Sequence, residues 1–169
     1  MGVDAMKLYR AARRLHLKGI PVVPDLLRKL IYYMHSSSIP QAAQIGEGTQ
    51  LGYGGIGVVI HKDARIGRQC LISQQVTIGG RSGIEGAPVI GDYVRIGAGA
   101  KILGNITVGD FAVIGANAVV VKDVPPGAVV AGVPARVLRQ DPDPLGSYQR
   151  EMGLTPRPPF PAKTPTHIQ

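Results

Sequence analysis

A six-residue period runs through the middle of the chain and limits what it can fold into. Every sixth residue from Ile60 to Val120 is isoleucine or valine, which makes eleven consecutive positions. The same spacing occurs earlier at Ile39, Ile45 and Leu51, and a three-residue insertion separates Leu51 from Ile60. This period matches neither the 3.6-residue repeat of an α-helix nor the two-residue alternation of a strand. It indicates a solenoid built from short repeats.

Residues that recur every six positions are called a column here, and two further columns accompany the column of aliphatic residues. The residue two places earlier is mostly small, at Ala43, Thr49, Val58, Ala64, Cys70, Val76, Ser82, Pro88, Val94, Ala100, Ile106, Ala112 and Ala118. Glycine often follows the aliphatic residue, and its conformational freedom predicts turn dihedrals at these points. One flat strand and one turn, taken three times, make a triangular coil of about 18 residues. Because a single coil cannot bury its apolar side chains alone, the pattern predicts a parallel β-helix whose stacked coils form the core.

The residues before the repeat, 1–38, are predicted to form a short helical segment. Gly19 suits the C-terminal cap of a first helix over 4–18, and Pro24 suits the first turn of a second helix over 24–35. The face of the first helix expected to be buried consists of Leu8, Ala11, Ala12 and Leu15. The fold class is therefore mainly β, with this helical segment in front of the β-helix.

The repeat defines one β-helix domain over residues 39–138. Within it the run G-G-R-S-G-I-E-G-A-P at 79–88 breaks the pattern, which predicts a loop that protrudes from the coil. Residues 139–169 are rich in proline and lack apolar periodicity. They are predicted to form an irregular C-terminal tail that is flexible or lies along a neighbour.

The chain carries a net charge of +8, and much of the excess lies in the N-terminal segment. Such a basic surface fits nucleic acid, an anionic membrane surface or a phosphate-rich cofactor, or it is simply a solvated helix face. Nucleic acid is not expected, since the chain has no RNP-like strand, zinc finger or helix-turn-helix pattern. A weak association with a membrane surface stays open.

The single cysteine, Cys70, excludes an intramolecular disulfide and fits a reducing compartment. No continuous apolar stretch follows the basic start of the chain, so no signal peptide is expected. No apolar run approaches the ~20 residues that span a bilayer. These features predict a cytoplasmic protein. One cysteine and scattered histidines do not form a metal-ligand pattern, so no metal is expected.

The repeat and the run A-G-V-P-A-R at 131–136 resemble the hexapeptide acyltransferase superfamily. Within it, three runs resemble the serine acetyltransferases: V-T-I-G-G-R-S-G at 76–83, I-G-A-G-A-K-I-L-G-N-I at 96–106 and V-P-P-G-A-V-V-A-G-V-P-A-R-V at 124–137. The resemblance implies a left-handed β-helix and acetyl transfer from acetyl-CoA to a hydroxyl of serine or a saccharide. It also implies a homotrimer with active sites in the clefts between neighbouring prisms.

The chain departs from the family pattern where the family carries its catalytic histidine. That histidine ends a Leu-Asp-His run, and the matching run here reads Leu-Gly-Tyr and ends at Tyr53. The family's acidic partner falls at Ser38, and a second family histidine falls at Ala87 or Pro88. The base of this chain is therefore expected to come from another position.

O-acetylation requires a base that accepts the proton of the acceptor hydroxyl near neutral pH. His61 is the first candidate, because it occupies the glycine slot of its repeat at a corner of the prism and is expected to point outward. His35 and Tyr53 are the other catalytic candidates. A free tyrosine is a weak base at neutral pH, so Tyr53 is expected to orient substrate. Asp63 or Glu85 is expected to orient the imidazole of His61.

By resemblance, the pantetheine arm of acetyl-CoA lies along a groove beside the coils, where small residues expose backbone amides. The residues implied to line this groove are Gly79, Gly80, Ala98, Gly99 and Ala116. Lys122 and Arg136 are implied to contact the CoA phosphates, with Arg81 as a further candidate. The alternative for each of these cations is simple solvation.

Two other functions remain open. Short relatives of this kind resemble enzymes that acetylate sugars during exopolysaccharide assembly. A non-catalytic β-helix, serving as a scaffold or a regulatory subunit, is the alternative from another class, and the missing family histidines favour it.

Overall fold

The computed structural model describes residues 4–151, and it confirms a mainly β fold built around a parallel β-helix. Three helices accompany it: α1 (Ala5–Leu17), α2 (Val23–His35) and α3 (Pro144–Glu151). Residues 1–3 and 152–169 lie outside the described part of the chain. Most of the predicted C-terminal tail therefore also lies outside it.

The strands are short. Their bounds are β1 Gln44–Ile45, β2 Gln50–Leu51, β3 Val59–Ile60, β4 Arg65–Ile66, β5 Leu71–Ile72, β6 Thr77–Gly79, β7 Val89–Ile90, β8 Arg95–Ile96, β9 Lys101–Leu103, β10 Thr107–Val108, β11 Val113–Ile114, β12 Val119–Val120, β13 Ala128–Gly132 and β14 Ala135–Gln140. A single 3₁₀ turn, Gly52–Gly55, follows β2 within the insertion.

Three sheets form the three faces of the prism. Face 1 has the order β1-β4-β7-β10, face 2 the order β2-β5-β8-β11-β13-β14, and face 3 the order β3-β6-β9-β12. The strands pair in parallel with the aliphatic residues in register, as Ile96 with Ile114 on face 2 and Ile102 with Val120 on face 3. These partners are eighteen residues apart, which is the coil length that the sequence period predicts. Among the strands of residues 4–151, β14 alone pairs antiparallel, with β13.

The interior of the prism consists of the two columns identified in the sequence. Aliphatic residues such as Ile72, Ile78 and Ile102 are fully buried, and small residues such as Ala64 and Ala100 are buried beside them. Ile84 keeps the six-residue count but is 44% exposed. It lies in the segment between β6 and β7, where the sequence predicts a loop.

The glycines after the aliphatic residues have a different role from the one predicted. None of the glycines that directly follow an aliphatic residue of the repeat has a left-handed backbone. The left-handed conformation occurs two positions further along the repeat, for example at Gln75, Gly99 and Asn117. An added β-carbon at Gly97 would lie 2.6 Å from the backbone nitrogen of Ala116 in the next coil. Glycine is therefore required by the close approach of successive coils, not by turn dihedrals.

We expect Gly97→Ala to lower the free energy of unfolding by about 1–3 kcal/mol, the usual cost of forcing atoms into a packed site. Gly79→Ala is the matched control, because its β-carbon would meet only side chains at an ordinary 3.5 Å. Urea unfolding of both variants measures the difference. Equal stability of the two variants would contradict the close-approach explanation.

The first helix covers the open end of the first coil. Its buried residues are Ala5, Met6, Tyr9 and Ala12. Of the predicted face, Ala12 is buried, whereas Leu8, Ala11 and Leu15 are only half-buried. The Tyr9 hydroxyl donates a hydrogen bond of 2.6 Å to the carbonyl of Ala43, and burial raises the pKa of Tyr9. The helix packs against both the coil and α2, and a single-helix periodicity cannot assign these two contacts to their separate faces.

The C-terminal boundary also differs from the predicted one at 138. Strand β14 continues to Gln140, and α3 follows it. Residues 139–140 and 144–151 therefore lie in regular elements where the sequence predicts an irregular tail. The antiparallel pairing with β13 explains the extension, since β14 adds to the open edge of face 2.

Candidate active site

Face 3 separates the predicted site residues into two groups. Because its strands are parallel, residues that precede them share one edge and residues that follow them share the other. The alanine ridge comprises Tyr53, Ala98, Gly99 and Ala116, and the histidine ridge comprises His61, Gly79, Gly80 and Lys122. At about 3.3 Å per residue, strands of two or three residues keep the two ridges roughly 10 Å apart.

His61 is held at the histidine ridge by its backbone. Its N–H donates to the carbonyl of Ile78 at 2.8 Å, which continues the pairing of β3 with β6. The side chain is 36% exposed. The imidazole Nε2 lies 3.8 Å from the position of a β-carbon at Gly80. The Cδ2–Nε2 edge of the ring therefore lies beside the foot of the loop between β6 and β7.

Asp63 is the nearer of the two acidic residues predicted to orient His61. Its backbone N–H donates to His61 Nδ1 at 3.3 Å, while its Oδ2 lies 3.8 Å from the same nitrogen, beyond hydrogen-bonding distance. The carboxylate instead accepts from Lys62 Nζ at 2.8 Å, and this hydrogen bond lowers the pKa of Asp63. The backbone of Asp63 thus positions the ring. Glu85 is exposed in the loop.

The alanine ridge offers two backbone donors that are free in the described part of the chain, the N–H groups of Ala98 and Ala116. Gly99 N–H donates to the carbonyl of Gln74 at 3.0 Å, and Asn117 N–H donates to the carbonyl of Ala98 at 2.8 Å. Within residues 4–151, the N–H groups of Ala98 and Ala116 have no hydrogen-bond acceptor. Successive coils are about 4.8 Å apart, so these donors form a short ladder that an extended chain of carbonyl groups can meet.

The two predicted phosphate ligands lie on different edges. Arg136 pairs with Ala131 across β13 and β14, above the alanine ridge, and its side chain is exposed. Lys122 follows β12 and is exposed on the histidine ridge. A single protomer therefore does not bring both cations to one phosphate group.

His35 and Tyr53, the other two catalytic candidates, differ in accessibility. His35 ends α2, and its Nε2 is buried without a hydrogen-bond partner in the described structure. Its ring lies 3.7 Å from the position of a β-carbon at Gly54. Tyr53 is 80% exposed and has a left-handed backbone with φ of 51°. Tyr53 can reach a ligand on the alanine ridge, whereas the His35 Nε2 atom cannot reach solvent.

Cys70 belongs to the small-residue column of the core. It is buried, and its thiol donates to the carbonyl of Gly91 at 3.1 Å. Burial raises the pKa of Cys70 to about 11. A thiol in this setting is not an available nucleophile.

One pocket was not anticipated from the sequence. It has a volume of about 670 Å³ and lies between face 2 and α3. The rings of Tyr93 and Phe111 stack with centroids 4.9 Å apart, and Tyr148 lies against Tyr93 at 5.0 Å. The sequence feature that could have predicted this aromatic pair is the eighteen-residue separation of Tyr93 and Phe111, which places them at the same corner of successive coils.

Comparison with known proteins agrees with this architecture. The bacterial transferase hexapeptide family (six repeats) matches residues 87–122. A serine acetyltransferase of Synechocystis is 42% identical over 139 residues, covering 81% of this chain and 55% of that protein. A serine acetyltransferase of Helicobacter pylori is 38% identical over 142 residues, covering 83% of this chain and 82% of that protein.

The chain belongs to the serine acetyltransferase family. The serine acetyltransferase of Brucella abortus, solved in complex with coenzyme A, superimposes with a TM-score of 0.76 at 37% identity. The match covers 80% of this chain and 55% of that one. This member of the serine acetyltransferase family thus spans about half the length of several relatives. Residues 4–151 contain no cluster of three His, Cys, Asp or Glu side chains that could hold a metal ion.

Proposed function

We propose that this protein transfers an acetyl group from acetyl-CoA to the hydroxyl of a small acceptor, with L-serine as the first candidate. The observation that carries the proposal is the pair of unpartnered N–H groups at Ala98 and Ala116. They match the amide carbonyls of a pantetheine arm in chemistry, and a relative of the same fold is solved with coenzyme A. Acetyl-CoA use and one buried thiol also favour a cytoplasmic enzyme.

In this proposal His61 is the general base. Its Nε2 accepts the hydroxyl proton while the hydroxyl oxygen attacks the thioester carbonyl. The tetrahedral intermediate then expels the CoA thiolate, which takes the proton back from the imidazolium, so the base is regenerated. Transfer is proposed to be direct, and Cys70 is not available as an acyl carrier because it is buried with a raised pKa. Accessibility favours His61 over His35, whose Nε2 is out of contact with solvent.

The active site is proposed to be shared between protomers of a homotrimer. The donors at Ala98 and Ala116 and the base His61 lie on opposite edges of face 3, roughly 10 Å apart. The alanine ridge of one protomer and the histidine ridge of its neighbour would together enclose the thioester. Such a head-to-tail contact closes into a ring when the rotation is threefold. It would also bring Lys122 and Arg136 of different protomers to one ligand.

A saccharide hydroxyl is the second candidate acceptor, and a specific observation favours it. Tyr53 and Ser38 stand where the resemblance places the family's catalytic histidine and acidic partner. The exposed Tyr53 ring offers a flat surface on the alanine ridge, which suits the apolar face of a sugar better than the charges of a free amino acid.

Release of free thiol from acetyl-CoA, measured with a panel of acceptors, tests the proposed function. The panel consists of L-serine, nucleotide sugars and lipid-linked sugars, with water as the control. Turnover with L-serine above the water rate is the expected result. Turnover with sugars alone would support the second candidate. No acceptor-dependent release at all would contradict the enzyme proposal and favour the scaffold.

A further inference from the structure

Helix α2 has an apolar stripe that no described part of the chain covers. Its buried side consists of Pro24 and Ile31. The adjoining sector carries Val23, Leu26, Leu30, Tyr33 and Met34, which are 42%, 63%, 42%, 81% and 49% exposed. At 100° per residue these five side chains occupy one continuous sector of the helix. Exposed apolar side chains that are contiguous, rather than scattered singly, are a feature of interaction surfaces.

The turn between α1 and α2 extends the stripe. Leu17, Ile20 and Val22 are 70%, 39% and 75% exposed. The turn continues the exposed apolar surface at the N-terminal end of α2, and each helix is hydrogen-bonded to the first coil. Tyr9 and Ala43 hold α1 there, and an amide hydrogen bond of 3.1 Å from Gln41 to Asp25 holds α2.

Cations accompany the apolar surface. Lys7, Arg14 and Lys18 are exposed and lie in one row along α1, on the side away from the coil. Lys29 is exposed next to the stripe on α2. The two acidic residues of the helix pair are engaged: Asp4 caps α1 through Met6 N–H, and Asp25 faces Gln41 and Arg28.

The other arginines of α1 hold the coil. Arg13 donates to the carbonyls of residues 41, 42 and 43, and Arg10 donates to the carbonyl of Thr49 at 3.3 Å. The row of Lys7, Arg14 and Lys18 makes no hydrogen bond or ion pair through its side chains within residues 4–151. These three cations are therefore available to an external anion.

We infer that the outer surface of the α1–α2 pair docks on an anionic lipid bilayer, with the α2 stripe in the headgroup region and the α1 cations on lipid phosphates. Apolar side chains on one sector beside a row of cations are the features of a helix that lies in the membrane interface. This is surface binding, since no helix of residues 4–151 has the length and hydropathy to cross a bilayer. A second copy on the same surface would place these cations against one another.

Sedimentation with phosphatidylcholine vesicles, with and without phosphatidylglycerol, tests the inference on the full chain. We expect binding that requires phosphatidylglycerol and weakens with added salt. Replacing Lys7, Arg14 and Lys18 by glutamine should lower the partition coefficient about fivefold per residue, which is the ~1 kcal/mol that each cation contributes near an anionic surface. Leu26→Ser/Tyr33→Ser should also weaken binding.

Arg139→Gln is the control, because Arg139 is an exposed cation on β14 at the other end of the β-helix. Its partition coefficient should equal that of the wild type. Equal binding by all variants, or binding to neither kind of vesicle, would overturn the inference. If the wild type ignores vesicles and Leu26→Ser/Tyr33→Ser lowers the mass of the assembly in ultracentrifugation, the stripe is an interface between copies and the inference is also overturned. These measurements need no acetyl transfer, so they are independent of the proposed function.

Discussion

His61→Ala should lower kcat for acetyl transfer by at least about 100-fold, because general acid–base catalysis by one side chain typically contributes that much or more. The base accepts its proton only during attack, so the KM for acetyl-CoA should stay within about twofold of the wild-type value. The side chain is partly exposed, and its hydrogen bond from the Asp63 N–H is also exposed, so the free energy of unfolding should change by less than about 0.5 kcal/mol. Steady-state thiol release and urea unfolding check the three expectations.

His16→Ala is the matched control for this substitution, since His16 is an exposed histidine on α1, away from face 3. Its kinetic constants should equal those of the wild type. Wild-type kcat in His61→Ala would remove His61 from the mechanism and return the role to His35 or Tyr53. A lower kcat accompanied by a large loss of stability would instead indicate a structural role for His61.

Mixing two inactive variants should restore about one quarter of the active sites if each site is shared between neighbours. The first variant is His61→Ala, which keeps the alanine ridge. The second is Ala116→Trp, which keeps His61 and fills the ridge where acetyl-CoA is proposed to lie. Ala116 is exposed, so the larger side chain should be tolerated by the fold. In a random trimer, half of the histidine ridges are intact, and half of those face an intact alanine ridge.

The measurement is thiol release after the two variants are unfolded together and refolded. A mixture of His61→Ala with the double variant His61→Ala/Ala116→Trp is the control, and it should stay inactive because no protomer carries His61. An inactive mixture of the two single variants, alongside active refolded wild type, would show that each site lies within one protomer. Full activity of Ala116→Trp alone would move the cofactor away from the alanine ridge.

The sequence predicts the sheet architecture well because one physical requirement repeats at every coil. Each aliphatic residue must point inward, so the six-residue count alone sets the pairing of Ile96 with Ile114 and of Ile102 with Val120. The count fails at Ile84, which lies in a loop inserted at the corner between β6 and β7. It also gives the wrong reason for glycine, because backbone approach between coils, as at Gly97, depends on residues eighteen or more positions away.

The candidate site is less accessible to sequence reasoning. Resemblance groups Gly79 with Ala98 as ligands of one cofactor, but their positions before or after a strand place them on opposite ridges. The placement of Gly79 and Ala98 on opposite ridges can be assigned only once the three faces are known. The buried Nε2 of His35 depends on the packing of α2 against Gly54. The hydrogen bond from Lys62 to Asp63 depends on side-chain geometry, which is not determined by the two residues being neighbours in the sequence.

Successive coils of face 1 contain unequal numbers of residues, yet their strands stay in register. Ile66 follows Ile45 by twenty-one positions, Ile90 follows Ile66 by twenty-four, and Val108 follows Ile90 by eighteen. The additional residues lie in 52–57 and in the loop between β6 and β7, both at corners of the prism. Corner segments can thus lengthen, shorten or be replaced while the interior stays intact. A lineage built on this scaffold can acquire new acceptors by exchanging a corner, with the proposed acetyl-CoA groove inherited unchanged.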